Sequence, residues 1–434
     1  MKNYFTIVRS CCLIFFIGII SSCGEAKKDD LKEEVSTKEI SAMEILGNPN
    51  YLAMSYGGYR YADHNIEPTF DELKEDMKIL SAMGIKLIRT YKLLKPQAAN
   101  LVKVISDMKK EDPNFEMYVM LGVWIDCKNS FNSGNGEPDH NQENEENPAE
   151  IDRAVALANK YPDIIKVIAV GNEAMVKWAA SYYVQPGVIL KWVNHLQELK
   201  KEEKLPKDLW ITSSDNFASW GGGGDEYHVD DLKELIKAVD FISMHSYPMH
   251  DTHYNPEFWG SPEGEENLSD IQKIDSAMLR AKKYAIAQYN QVYEYMKSLN
   301  VDKPIHIGET GWSTFSDGHF GSTGSRSNDE YKEALYYKHM RDWTNEAGMS
   351  CFYFEGFDEP WKGGDNPGNS EKHFGLFTVD GKAKYAIWDL VDKGTFEGLT
   401  RNGNPITKTY NGNKEQLMND ILAPPMASEI KTPH

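Results

Sequence analysis

"PIHIGETGW", residues 304–312, is apolar up to Ile307 and then changes character at Gly308, Glu309, Thr310, Gly311 and Trp312. A run with the composition of a buried strand that ends on a carboxylate needs a place where strand ends open onto a site. The rest of the chain supplies one. Seven further apolar runs have the same look: "YLAMSY" (51–56), "IKLIRTY" (85–91), "MYVMLGVW" (117–124), "IIKVIAV" (164–170), "LWITSS" (209–214), "VDFISMHSY" (239–247) and "MSCFYFE" (349–355). Amphipathic segments alternate with them. Residues 69–83 are one, with Thr69 and Glu72 as a capping box, Leu73, Met77 and Leu80 as an apolar face, and Gly84 as the stop. Helices are expected also at 96–110, 149–161, 186–203, 229–238, 268–299, 327–346 and 383–393.

Near-continuous apolar strands that alternate with helices describe a parallel sheet buried on both faces. Eight such units predict a (β/α)8 TIM barrel in a single α/β domain over residues 46–396. A doubly wound open sheet is the structural alternative, but no Gly-rich phosphate fingerprint follows the first strand. The tail, 397–434, is expected to pack on the barrel or fray.

Composition narrows the function. The 434 residues are 41% hydrophobic and 12% aromatic, with a formal charge of -19. So acidic a chain disfavours nucleic acid and anionic lipid surfaces, which need clustered Lys and Arg. Ten Trp and 23 Tyr favour a neutral sugar ligand, whose apolar ring faces stack on aromatic faces. The first residues are a targeting segment: Lys2 and Arg9 precede "CCLIFFIGII" (11–20), which is short for a bilayer span. "ISSC" (20–23) resembles a bacterial lipobox, which implies a signal peptide over 1–22, lipidation of Cys23 and a charged solvated tether over 23–45. The expected location is the cell envelope, at the outer membrane or surface of a Gram-negative bacterium, held by the lipid anchor only. Cys127 and Cys351 are expected as buried free thiols. No CxxC or HExxH spacing suggests a metal, no cofactor is implied, and the acidic run 138–147 reads as a solvated loop and not a Ca²⁺ site.

In a barrel of this kind, polar residues at the carboxyl ends of strands are candidates for chemistry. Glu309 ends the seventh strand, and "KVIAVGNEA" (166–174) puts Asn172 and Glu173 at the end of the fourth. Two opposed carboxylates are the equipment of glycoside hydrolysis.

"VGNEA" and "IGETGW", together with "SYGGY" at the first strand, "IRTY" at the second, "HSYP" at the sixth and "FDEPWK" after the eighth, resemble the clan of retaining (β/α)8 glycosidases. They resemble most closely family 17 of the glycoside hydrolases, the β-1,3-glucanases, from about residue 50 to 390. The resemblance implies that Glu173 is the acid/base and Glu309 the nucleophile, with the carboxyls about 5 to 5.5 Å apart. It also implies substrate contacts from Asn172, Tyr56, Tyr91, Tyr247, Trp312, Glu355, Glu359, Trp361, Lys362 and Glu371. Trp312 is expected as the stacking floor of the cleft, and Trp124, Trp220 and Trp259 as further platforms. The insert "GDNPG" (364–368) lengthens the spacing from Lys362 to Glu371 relative to plant members. The implied function is endo hydrolysis of a laminarin-like β-1,3-glucan by a monomer. The alternatives are a β-1,3-glucan transglycosylase and a non-catalytic surface glycan-binding lipoprotein.

Overall fold

A computed structural model of the chain describes residues 40–131 and 136–430. The expected signal peptide, Cys23 and the tether as far as residue 39 lie outside the described residues. All eight expected strands form: β1 (Leu52–Ser55), β2 (Ile85–Arg89), β3 (Tyr118–Val123), β4 (Ile165–Asn172), β5 (Trp210–Asn216), β6 (Ile242–His245), β7 (Ile305–Thr310) and β8 (Cys351–Tyr353). They pair in parallel, each with its neighbour in the chain, and β8 closes on β1.

The helices up to the last strand are α1 (Ala42–Ile45), α2 (Phe70–Ala82), α3 (Gln97–Glu111), α4 (Asn147–Lys160), α5 (Pro186–Lys201), α6 (Asp230–Ala238), α7 (Pro248–Tyr254), α8 (Asp270–Ser298) and α9 (Glu330–Glu346). The capping box at Thr69 and Glu72 starts α2 as expected. The segment expected as a helix over 383–393 splits into a 3-10 turn, Tyr385–Ile387, and a short helix, Trp388–Asp392. Helix α7 and a hairpin of Cys127–Lys128 with Asp139–Glu143 were not legible as elements, because both sit in polar loops without a period. The hairpin takes in half of the acidic run that reads as a loop.

Two cores explain why the strands are apolar throughout. Ala53, Leu87, Met120, Val167, Ala169, Phe241 and Phe352 form one buried cluster, and the alternate residues Met54, Ile88, Leu121 and Ile168 belong to a larger one that includes residues of the helices. Ala42 and Ile45 of α1 join the first cluster. The tether therefore does not extend to residue 45: Ser41 caps a helical turn that is part of the folded domain. Cys127 and Cys351 are free and buried, as expected.

The C-terminal segment packs on the barrel as far as residue 430. Arg401 is fully buried, donating through Nε to Asp76 Oδ1 at 2.9 Å, and Asp76 also accepts from Arg60 Nη2 at 2.7 Å and from Tyr56 at 3.0 Å. Tyr56 is thereby removed from the expected substrate contacts. Its hydroxyl is spent on this buried carboxylate of α2. Because removing one partner of a buried ion pair strands the other, Arg401→Ala is expected to lower the unfolding free energy by about 3 kcal/mol, read from urea denaturation.

Candidate active site

Each of two strands carries a glycine shortly before the carboxylate that matters, Gly171 two residues before Glu173 and Gly308 directly before Glu309. In β4, Gly171 has φ +84° and Glu173 has φ +46°, a left-handed conformation that a non-glycine residue adopts at a cost of about 1 kcal/mol or more. The β4–β5 register shifts between Ala169 and Asn172, and Glu173 N donates to Ser214 O at 3.0 Å. In β7 the register against β6 shifts between Ile307 and Glu309, so that Glu309 faces His245. A Cβ on Gly308 would lie 2.1 Å from Ser243 Oγ and 2.6 Å from Ser214 Oγ. Those serines bond each other at 2.8 Å, and Ser214 bonds His245 Nε2 at 2.7 Å. His245 Nδ1 then lies 3.1 Å from Glu173 Oε1 and 3.6 Å from Glu309 Oε2.

The two glutamates approach within 4.8 Å, oxygen to oxygen. That spacing matches the direct-attack geometry and leaves no room for the intervening water that an inverting pair needs at roughly 6.5–9.5 Å. Their surroundings drive them apart electrostatically. Burial first, then the negative charge of Glu309, pushes Glu173 up to about 8, against a lowering pull from His250 and Arg89. Burial acts the same way on Glu309, but His245, Arg89 and the hydroxyls of Tyr91 and Tyr247 outweigh it and hold the carboxyl at about 2. Burial keeps His245 neutral above about 4, so near neutral pH Arg89 is the cation that acts. Arg89 Nη1 donates to Glu309 Oε1, Arg89 Nη2 donates to Asn172 Oδ1 at 2.6 Å, and Tyr247 donates to Glu309 Oε2 at 2.8 Å. One carboxyl is thus a proton donor and the other a ready nucleophile.

The pair lies in a cleft of about 1490 Å³, larger than the roughly 300–1,000 Å³ of small-molecule pockets. Asn172, Tyr91, Tyr247, Glu359, Trp361, Lys362 and Glu371 line it, as does Trp124. Glu371 accepts from His250 Nε2 at 3.1 Å, Glu359 accepts from Tyr59 N at 3.0 Å, and Trp361 stacks on His64 with centroids 3.7 Å apart.

Other expectations are corrected. Trp312 is fully buried, 5.0 Å from Tyr336 and 5.7 Å from Trp259, with Nε1 donating to Ser327 O at 2.7 Å. It pins the loop after β7 and does not floor the cleft. Trp220 and Trp259 are likewise buried, their indoles bonded to the carbonyls of Ser243 and Ser325. Glu355 is buried beneath the cleft wall with both oxygens on Lys362 Nζ, at 2.8 and 2.9 Å, so it holds the lysine and does not reach a ligand. The exposed rings on the cleft rim are others, Phe131, Trp178 and Tyr254 among the described residues.

Sequence reasoning missed Arg89, His245, His250 and Asp215. Arg89 and His245 stand inside the quoted motifs "IRTY" and "HSYP", and a charged or imidazole group inside an otherwise apolar strand was the available signal. Asp215 accepts from Met175 N at 2.7 Å and so fixes the segment that follows Glu173.

Residues 53–375 match the family model of the BtgE/BtgC glycoside hydrolase domain. The chain belongs to that family. The chain is 24% identical over 322 residues to a glucan 1,3-beta-glucosidase of Arthroderma benhamiae, covering 72% of this chain and 83% of that one. It is 22% identical to the btgC protein of Aspergillus niger over 78% of this chain, and spans only 43% of that longer relative. A crystal structure of an endo-laminarinase from Formosa Hel1_33_131 superposes with a TM-score of 0.89 at 64% identity, covering 91% of this chain and 100% of that one. The BtgE/BtgC domain thus carries the opposed glutamates on the closed barrel described above.

The charge coupling has a direct readout. Glu309→Gln removes the negative charge that helps to raise Glu173, so Glu173 is expected to titrate below its wild-type value of about 8. Carboxyl-carbon NMR of Glu173 against pH, in wild type and variant, measures the shift.

Proposed function

We propose that this protein hydrolyses β-1,3-glucosidic bonds within laminarin-like glucans with retention of anomeric configuration, and that it is a family 17 enzyme. The observation that carries the reading is the pair of glutamates, at most 4.8 Å apart by their closest oxygens, at the ends of β4 and β7. The likeness to an endo-laminarinase at 64% identity supports the substrate and the endo mode.

In the first step a Glu309 oxygen attacks the anomeric carbon while the bond to the leaving glucosyl oxygen breaks, and Glu173 gives its proton to that oxygen. Developing positive charge on the ring is met by the ionised nucleophile. Asn172, oriented by Arg89, is placed to bond the sugar 2-hydroxyl, a contact that strengthens in the transition state. In the second step Glu173, now ionised, takes a proton from water as the water attacks the anomeric carbon and the bond to Glu309 breaks. One residue serves both proton transfers because the two steps are mirror images.

Product analysis on soluble β-1,3-glucan, with anomeric NMR, tests this in wild type, Glu309→Gln and Glu173→Gln. Wild type is expected to release short oligosaccharides whose new reducing ends form first as the β anomer, and each variant to lose activity by about 10³-fold or more. Products longer than the input would identify a transglycosylase. Binding without turnover would identify a surface glycan binder and overturn the reading.

The N-terminal sequence supports export and anchoring of this activity at the cell envelope through a lipid on Cys23. Palmitate labelling in a bacterial host is expected for wild type and absent in Cys23→Ser, and labelling that persists in the variant would overturn the anchor.

A further inference from the structure

Three lysines line the cleft, Lys92, Lys95 and Lys362, and two of them are committed. Lys362 is held by Glu355 and, at 3.0 Å, by Glu359. Lys95 Nζ donates to His64 O at 2.5 Å and to Asn65 Oδ1 at 3.3 Å, and lies 3.6 Å from Glu67. Lys92 makes no ion pair or hydrogen bond among the described residues, although its side chain sits half-buried in the cleft wall. The carboxylates whose charge reaches it are Glu67, Glu150 and Glu359, and each is engaged elsewhere. Glu67 accepts from Tyr59 Oη, Glu150 from Leu93 N and Arg153, and Glu359 from Tyr59 N and Trp361.

An ammonium that is partly desolvated and unpaired carries a cost that a ligand oxygen would remove. In a chain with 66 acidic residues against 47 basic ones, partners are not scarce, so a cleft-facing cation without one is open to a ligand. Its position names the end of the ligand. In the proposed reaction Glu173, at the end of β4, protonates the leaving sugar, so the aglycone is expected on the β4 side of the cleft and the glycone toward the opposite strand, β8. Lys92 follows β2, two strands from β4, but its charge reaches His64, which follows β1 and carries Trp361, and Trp361 follows β8, the strand directly opposite β4. Trp361 is held flat by its stack on His64, with an interplanar angle of 4°. A preset aromatic ring in the same cleft as a free three-proton donor is what a pyranose needs for its face and its hydroxyls together.

We infer that Lys92 donates hydrogen bonds to hydroxyls of a neutral glucosyl unit on the glycone side, beyond the sugar whose bond is broken, with Trp361 as the stacking platform of the same subsite. This rests on the glucanase reading. Lys92 is therefore a specificity-determining residue that sets the register in which a glucan chain lies across the two glutamates.

The test is a ladder of reducing-end-labelled β-1,3-gluco-oligosaccharides, from the disaccharide upward, cleaved by the full chain as wild type, Lys92→Met and Lys92→Arg. Lys92→Met keeps the apolar stem and loses the donor. It is expected to raise KM about tenfold on oligomers long enough to reach the subsite, to leave kcat near wild type, and to move the preferred cleavage toward the non-reducing end. Lys92→Arg, which keeps charge and donors, is expected to restore both. Unchanged KM and cleavage pattern in Lys92→Met, or an equal loss on every length, would overturn the assignment while wild-type turnover leaves the glucanase reading standing. A glucan carboxylated at C6 that competes more tightly than the neutral chain, in wild type but not in Lys92→Met, would overturn the neutral ligand in favour of an anionic one. Wild type inactive on the whole ladder would overturn both readings.

Discussion

Two carboxyl groups within 4.8 Å of each other, largely out of water, cannot both be charged without help. At an effective dielectric constant of about 20 their repulsion is about 3 kcal/mol. The site resolves this by setting the Arg89 guanidinium directly on Glu309, to which it donates, and on no oxygen of Glu173 among the described residues. Asymmetry of partners becomes asymmetry of protonation, and the division into donor and nucleophile follows from it. Arg89 also offsets part of the repulsion felt at Glu173, which is consistent with burial and not Coulomb energy being the larger cause of its raised pKa. A buried arginine of this kind adds little to stability on balance, because its own desolvation is costly. Its use is in setting charge states.

The glycines before each glutamate belong to the same constraint. Gly308 leaves space for the chain from Ser243 through Ser214 to His245, and His245 is the neutral bridge between the two carboxyls. Any Cβ at 308 would press on that chain at 2.1 Å and displace the imidazole. Gly171 solves a backbone problem, since its left-handed φ starts the turn that carries Glu173 into the cleft. Similar local sequences, "VGNE" and "IGE", therefore do different work on opposite sides of the barrel.

The barrel was readable because strands buried on both faces leave an unbroken apolar run, and eight such runs with helical spacers admit few arrangements. The two glutamates were readable for a related reason, as carboxylates at strand ends. What stayed hidden depends on contacts between loops. Trp312, Trp220 and Trp259 looked like sugar platforms because an indole in a rim loop has the same sequence signature whether it faces solvent or core. Each instead gives its single donor to a backbone carbonyl, at 2.7, 3.0 and 2.7 Å in turn. Tyr56 and Glu355 looked like ligand contacts because their partners, Asp76 in α2 and Lys362 beyond β8, are brought to them by loop and helix packing that has no sequence period. Residue 45 looked like tether because a four-residue helix has no period to read.

The same distinction between committed and uncommitted polar groups sorts the rest of the cleft. A buried carboxylate with a full set of partners, such as Asp76 or Glu355, has no capacity left for a ligand, however close to the cleft it lies. Groups that retain capacity are Glu173, whose partner His245 is neutral, and Glu371, whose carboxylate is bound to His250 through one oxygen. Both line the open cleft. Counting donors and acceptors therefore separates framework from ligand-facing residues more sharply than residue type does. It is a count that sequence alone cannot supply, because most partners in it, such as His245 for Glu173 and His250 for Glu371, come from a different strand end of the barrel.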